Sequence, residues 1–344
     1  MLREVQYFYI LIAFSLSLLI HYLVIELTHK KGVFLDEHDK VQKVHIKPTP
    51  RIGGLGIFLS SMFILNDNIL GGYLILAAIP AFVAGFLEDY SGKISPTQRL
   101  AIMCLSPIMA FIMIPGSLLT NWGFFTAPAI AGMFASVLFI VALVNGVNFT
   151  DGQNGLAAGS VLINFITMSV IAYVLGDASL FYICLIISAG VLSFLIYNFP
   201  SGKIFMGDGG AYFLGFMMAA ISIITIQNYP GKVSPLLVPA LLIYPLWEVV
   251  FSTLRKIFID KISPLRSDDF HIHQLLFRNR SKGKGYLPTL LILPIQAIVA
   301  VSVILFVNNS MALMLIMAAF IFLYSFVYIW ERKLDAIKIK PVLK

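Results

Sequence analysis

The stretch AGMFASVLFIVALVNGVNFTDGQNGLAAGSVLINFITMSVIAYVL, residues 131–175, is two apolar runs joined by a polar piece. A helix needs about 20 apolar residues to cross a ~30 Å hydrocarbon core, so the flanks predict two membrane spans, 127–147 and 156–175. The joint, Asn145–Ala157 (NGVNFTDGQNGLA), holds three Asn, one Asp, one Gln, one Thr and three Gly. A connector needs only a few polar residues. The flanks therefore decide the fold, and the surplus of amides with one carboxylate raises the question of function.

Similar apolar runs recur along all 344 residues. The chain is 59% hydrophobic and 12% charged, with a mean hydropathy of +0.91, where soluble domains are about a quarter charged. We read an all-α polytopic membrane protein with about eleven transmembrane helices: 5–27, 53–65, 69–87, 99–115, 127–147, 156–175, 178–197, 210–227, 234–254, 287–307 and 311–330. A transmembrane barrel would instead show alternating strands of about ten residues. The second span is short and flanked by Gly53, Gly54, Gly71 and Gly72. Cys104 and Cys184 fall inside apolar runs and read as small buried hydrophobes with no disulfide implied. The N-terminal run, with one Arg, Glu4 and no small-residue cleavage site, reads as a retained span and not a cleaved leader.

Lys and Arg set the expected orientation. With the N-terminus outside, the inner connections are 28–52, 88–98, 148–155, 198–209, 255–286 and the basic tail 331–344. Nearly all the basic residues fall there, among them Lys47, Arg51, Lys93, Lys203, Arg255, Lys256, Arg278 and Arg332, with Arg99 at an inner helix end. The outer set holds only Arg3 and Lys232. This predicts an inner C-terminus and places any chemistry in the membrane or at its cytoplasmic face.

Four inner connections carry residues that a generic loop does not need: Glu88 and Asp89; Asn145, Asn148, Asp151 and Asn154; Asn198, Lys203, Phe205 and Asp208; His271 and His273. Their convergence on one face is the argument for one site. The acids suit Mg²⁺, which is typically held by one or two carboxylates plus substrate phosphates. As plain structure, Glu88 and Asp89 would be acidic helix-end residues. Asp208 sits among Gly207, Gly209 and Gly210 just before a span and can act as its N-cap, with the following N–H groups open to phosphate. Asn145, Asn148, Asp151 and Asn154 are spaced by three and would share a helix face, although the intervening glycines favour a broken helix. Asn donates and accepts together, which suits sugar hydroxyls, amides or a uracil edge; the same residues also build turns. Phe205 is open between an interfacial anchor and a stacking face for a base. His271 and His273 diverge on a helix or an extended chain, so a two-His metal clamp is not expected, and a phosphate contact or proton carrier fits better. His45 reads similarly, and His21 reads as packed within the first span.

The motifs PTPRIGG (48–54), GFLEDYSGKISP (85–96), NGVNFTDGQNGLA (145–157), NFPSGKIFMGDGGAYFLGF (198–216) and HIHQLLF (271–277) together resemble the polyprenyl-phosphate N-acetylhexosamine-1-phosphate transferases, glycosyltransferase family 4. PRIGG, DGQNGLA, GDGGAY and HIH are similar to its WecA-like branch. The peptidoglycan branch usually carries a second Asp where this chain has Asn154, and a triple His where Ile272 intervenes. The resemblance implies transfer of GlcNAc 1-phosphate, or a related N-acetylhexosamine 1-phosphate, from a UDP-sugar to undecaprenyl phosphate with release of UMP. It implies Mg²⁺, with Mn²⁺ as an alternative ion, in a bacterial cytoplasmic membrane, priming a glycan such as lipopolysaccharide or teichoic acid.

On this reading residues 1–330 form one transferase domain. Glu88, Asp89, Asp151, Asp208 and His271 are the expected catalytic set, with Asp208 and Asp89 at the metal. Lys47, Lys93, Asn145, Asn148, Asn154, Asn198, Phe205 and His273 are expected to bind substrate. Glu88 departs from the Asp–Asp pair usual in the family, which shifts weight to Asp89. Partners are the UDP-sugar, the lipid phosphate and the bilayer, with no nucleic acid; a homodimer is left open. A phospho-MurNAc-pentapeptide transferase is the nearest alternative. An ion-coupled transporter is the alternative from another class, but it would place its polar groups near the midplane and often show inverted repeats.

Overall fold

The computed structural model describes residues 2–32, 49–66, 69–122, 125–263 and 268–339. Thirteen α-helices run among them: α1 (Leu2–Lys31), α2 (Gly54–Ser61), α3 (Ile69–Ser91), α4 (Pro96–Met113), α5 (Ala129–Thr150), α6 (Leu156–Leu175), α7 (Ala178–Asn198), α8 (Gly207–Asn228), α9 (Leu237–Leu241), α10 (Ile243–Leu254), α11 (Ile272–Arg280), α12 (Leu287–Leu305) and α13 (Ser310–Ile339). The protein is an all-α multi-pass membrane protein.

Nine of these helices are long and apolar enough to cross a membrane. The two remaining expected spans differ from a simple helix. The second is α2 followed by a 3₁₀ turn over Met62–Leu65, a tighter winding that ends at Asn66. The ninth is divided at Leu242 into α9 and α10. Pro245 explains the break: it has no N–H to give the carbonyl of Leu241, and its ring crowds that carbonyl. A π-helical turn, Arg255–Asp260, then prolongs α10.

Helix α8 is the axis of the bundle. Its apolar window is wholly buried, and it packs mainly against α3 and α5, with α2 alongside. A helix apolar all round belongs in the interior. Glycines let the backbones approach: a Cβ at Gly85 of α3 would collide with the backbone of Asp208 and Gly209, and one at Gly54 with Gly210. Side chains facing outward, such as Ile112, Leu138, Val174, Ile298 and Phe322, are large and apolar, as a hydrocarbon solvent permits.

The alternation of helices brings the C-terminal ends of α3, α5, α7 and α10 and the N-terminal ends of α4, α6, α8 and α12 to one end of the bundle. Helix α11 lies there too. The first part of the expected 331–344 tail, to Ile339, continues α13. Glu331 and Asp335 are buried, pairing with Arg280 at 2.8 Å and Arg278 at 3.0 Å on α11.

The α3–α8 approach gives a direct test. Gly85→Ala should cost about 2 kcal/mol through overpacking against backbone that cannot yield. Gly72→Ala on the same helix meets only Leu65 at 3.8 Å. It should be neutral or gain up to about 1 kcal/mol from helix propensity. Thermal unfolding in detergent would order the variants; equal behaviour would refute the tight crossing.

Candidate active site

The site begins at the first turn of α8. Gly207 takes a positive φ of 78°, which turns the chain into the helix and aims the next amides at α3. Asp89 meets them: its Oδ1 accepts from the Asp208 N–H at 3.0 Å and its Oδ2 from the Gly209 N–H at 2.9 Å. The helix is thus capped by a carboxylate from another helix, which also suits the positive end of its dipole. This corrects the expectation that Asp208 caps its own helix and leaves those amides for phosphate. Asp208 lies inside the first turn, and its side chain is free to point elsewhere.

Asp208 points into a cage of donors. Oδ1 accepts from Arg51 at 2.7 Å and from Asn148 Nδ2 at 3.0 Å; Oδ2 accepts from Arg99 at 2.9 Å. Arg51 also lies 3.4 Å from Asp89 Oδ1, and Arg99 lies 4.0 Å from Glu88 Oε1. Two buried carboxylates this close repel, and uncompensated burial would cost several kcal/mol. The two guanidiniums offset that. Glu88 turns away from Asp89, and its Oε2 accepts from the Ile94 N–H at 3.1 Å, bracing the α3–α4 turn.

The joint that opened the sequence is more regular than the glycines implied. Helix α5 continues through Asn145 and Asn148 to Thr150, and the turn occupies only 151–155. Asn148 reaches Asp208, whereas Asn145 Nδ2 donates to the Val141 carbonyl of its own helix at 2.8 Å. Asp151 caps the end of α5 within electrostatic reach of Arg51 and Asp208. Loss of water pushes its carboxyl up to about 7; Arg51 and the Gly207 N–H oppose the rise and Asp208 adds to it.

Asn154 and Asn198 tie two loops together. Asn198 Oδ1 accepts from the Gly155 N–H at 2.6 Å, and its Nδ2 donates to the Ile204 carbonyl at 2.7 Å. Asn154 Nδ2 donates to the Pro200 carbonyl at 2.8 Å, while its Oδ1 is buried without a hydrogen bond. Phe205 is half-buried, and its backbone pairs with 50–53: its N–H donates to Pro50 O at 2.8 Å and its carbonyl accepts from Gly53 at 2.9 Å. Lys93 is exposed in the α3–α4 turn. Lys47 and His45 lie outside the described residues. His21 is packed as expected, its Nε2 2.8 Å from the Gly53 carbonyl.

His271 and His273 do not diverge. Their rings lie 5.6 Å apart and 9° from parallel. The reason is the backbone: His271 is the extended N-cap of α11 and His273 is in its first turn, so the chain bends between them. The pair sits against the end of α5 and the turn after it, with Phe149 5.3 Å from His271 and a Cβ at Gly152 running into His273 Nε2. Burial pushes the His273 imidazole down to about 4, with the His271 charge adding and Glu248 opposing. His271 Nδ1 is 2.7 Å from Glu248 Oε1.

Arg51, Arg99 and Glu248 were not singled out from sequence. Arg51 and Arg99 read as topology charges, although Arg51 stands within PTPRIGG. Glu248 had a usable signal: it is the only acid in 234–254, and an ionisable residue within a span is a functional hypothesis by default.

Among the described residues no three His, Cys, Asp or Glu side chains form a metal-holding group. Mg²⁺ asks for less, and Asp208 and Asp151 are oxygen donors of the right kind. Asp89 and Asp208 both accept hydrogen bonds on each oxygen, Asp89 from backbone amides and Asp208 from Arg51, Asn148 and Arg99. Both oxygens of Asp89 and Oδ2 of Asp208 each keep a further lone pair for a cation.

The family model for glycosyl transferase family 4 matches residues 72–226, which include α3, the α5–α6 joint and α8. A probable undecaprenyl-phosphate N-acetylglucosaminyl 1-phosphate transferase of Bacillus subtilis is 29% identical, covering 78% of this chain and 77% of its own. An undecaprenyl-phosphate alpha-N-acetylglucosaminyl 1-phosphate transferase of Thermotoga maritima is 28% identical, over 78% and 80%. A phospho-N-acetylmuramoyl-pentapeptide-transferase of Streptococcus pneumoniae is 30% identical, over 56% and 64%.

The buried His273 makes a pH prediction. Between about 4 and the ordinary 6.5 the unfolded chain holds a proton that the folded one does not. Stability therefore falls as pH drops below about 6.5 and is retained above it. His273→Gln should flatten that part of the melting-temperature profile; an unchanged slope would show that His273 is not held neutral.

Proposed function

We propose that the chain is a member of glycosyl transferase family 4 that transfers GlcNAc 1-phosphate from UDP-GlcNAc to undecaprenyl phosphate at the cytoplasmic face of a bacterial inner membrane, releasing UMP and priming a cell-envelope glycan. The observation that carries this reading is the cage at Asp208, where Arg51, Arg99 and Asn148 from three different elements surround one buried carboxylate. Guanidiniums match phosphate oxygens geometrically, and a carboxylate beside them suits a divalent cation.

In the reaction an oxygen of the lipid phosphate attacks the β-phosphorus of the donor. The bond from that phosphorus to the α–β bridging oxygen breaks, and UMP carries the electron pair away. Mg²⁺ held by Asp208 and Asp151 would neutralise the charge on the diphosphate. Arg51 and Arg99 orient phosphate oxygens, and Asn148 fixes Asp208. His271 contacts a phosphate, and Phe205 flanks the nucleotide. Glu88 and Asp89 both have backbone partners, which favours direct attack by the lipid phosphate over a covalent intermediate on either acid.

The resemblance at Asn154, where the peptidoglycan branch usually carries Asp, supports the donor choice. The Asn154 amide donates to Pro200 O, and an Asp carboxylate at this position could not. The relatives named for GlcNAc 1-phosphate transfer also align over more of this chain than the pentapeptide transferases.

Purified protein given undecaprenyl phosphate and Mg²⁺ with UDP-GlcNAc, UDP-GalNAc or UDP-MurNAc-pentapeptide should release UMP fastest from UDP-GlcNAc. A strong signal from the pentapeptide donor alone would overturn the donor assignment. Asp208→Asn should lower UMP release by about 100-fold or more, the scale expected on losing a charge at the reacting phosphates. Near-normal turnover of that variant would remove Asp208 from the mechanism.

A further inference from the structure

Glu248 of α10 is 1% exposed. Its two oxygens are shared between distant elements: Oε1 lies 2.7 Å from His271 Nδ1 at the start of α11, and Oε2 accepts the Tyr324 O–H of α13 at 2.8 Å. A carboxylate this buried persists only where donors match it. Tyr244, one turn earlier on α10, brings a second buried hydroxyl that makes no hydrogen bond itself. The imidazole of His271 is held on its faces as well, by His273 and Phe149. Its other nitrogen, Nε2, is 3.7 Å from Asp268 Oδ1, too far for a hydrogen bond. Asp268 itself is engaged by Arg255 at 2.6 Å, with Lys256 at 3.9 Å.

We propose that Glu248 is a positioning residue for His271: it accepts the Nδ1–H hydrogen bond, fixes the orientation of the ring, and so aims Nε2–H at an anionic oxygen of the donor diphosphate. The assignment rests on the transferase reading above. An ionised carboxylate only accepts, so the proton between the two residues sits on Nδ1, and the Tyr324 O–H holds the carboxylate on its far side. With Nδ1 held by the carboxylate, a hydrogen bond from Nε2–H to a phosphate oxygen is the contact the ring is placed to make. Glu248 touches no reacting atom and acts only through the ring.

A double-mutant cycle on UMP release by the full-length protein tests this. Glu248→Gln and His271→Gln should each lower kcat/KM about tenfold or more, and the double variant should be no worse than His271→Gln alone. Tyr324→Phe should cause a smaller loss, about threefold, that disappears in the His271→Gln background. That arm decides the matter if Glu248→Gln does not fold. Multiplying losses in either cycle would overturn the positioning role while leaving the transferase reading intact. A wild-type protein that releases no UMP from any donor would overturn the transferase reading, and this inference with it.

Discussion

The structure depends on one unmet need, the amides at the start of α8. A buried helix cannot leave its first N–H groups unpaired. Asp89 from α3 supplies the acceptor. That bond fixes α3 against α8, and the absent side chain of Gly85 makes the approach close enough. Once Asp89 is spent on the backbone, Asp208 is released to face Arg51, Arg99 and Asn148. The cap and the cage are thus one arrangement: the group that stabilises the crossing also sets the direction of the carboxylate beside it.

A second layer of charge fixes the loop that carries the histidines. Arg255 pairs with Asp260 and Asp268, and Arg332 of α13 pairs with Asp260 at 2.7 Å. The Phe270 ring lies beneath the guanidiniums of Arg255, Arg278 and Arg332, at 4.9–5.8 Å from its centroid. Burial alone would raise the Asp260 carboxyl, but Arg332 and Arg255 hold it below the usual range. Each pair is modest when solvated. Together they anchor the segment leading into α11 to the end of α10 and to α13, so His271 and His273 are set by the bundle and not by their own loop.

Much of this was legible in the chain. Apolar runs report their length directly, so most long helices fall where periodicity and hydropathy put them. The polar surplus at 88–89, 145–154, 198–208 and 271–273 marked the end of the bundle where these residues gather, because a residue that lipid does not favour needs another reason to be there. The partners were not legible. Arg51 and Arg99 look like any inner-face cation, and nothing local says that both converge on Asp208. The glycines of the 145–157 joint suggested a broken helix, but α5 persists to Thr150. The spacing of His271 and His273 suggested divergence, yet a helix begins between them and turns their rings parallel.

The sequence by itself determined that the chain is a helical membrane bundle, which family it resembles, and which loops carry its surplus of polar residues. These follow from hydropathy, length and residue type, which are local properties. Only the tertiary structure decided what each polar residue does: Asp89 caps α8, Asn154 and Asn198 bind loops together, Asp208 is caged, and Glu248 holds His271. The physical reason is that a hydrogen bond or ion pair belongs to two groups at once. In this protein the second group lies 38 to 157 residues away in the side-chain hydrogen bonds and ion pairs described for Asp89 and Asp208, and in the bond to Asn198 from Gly155.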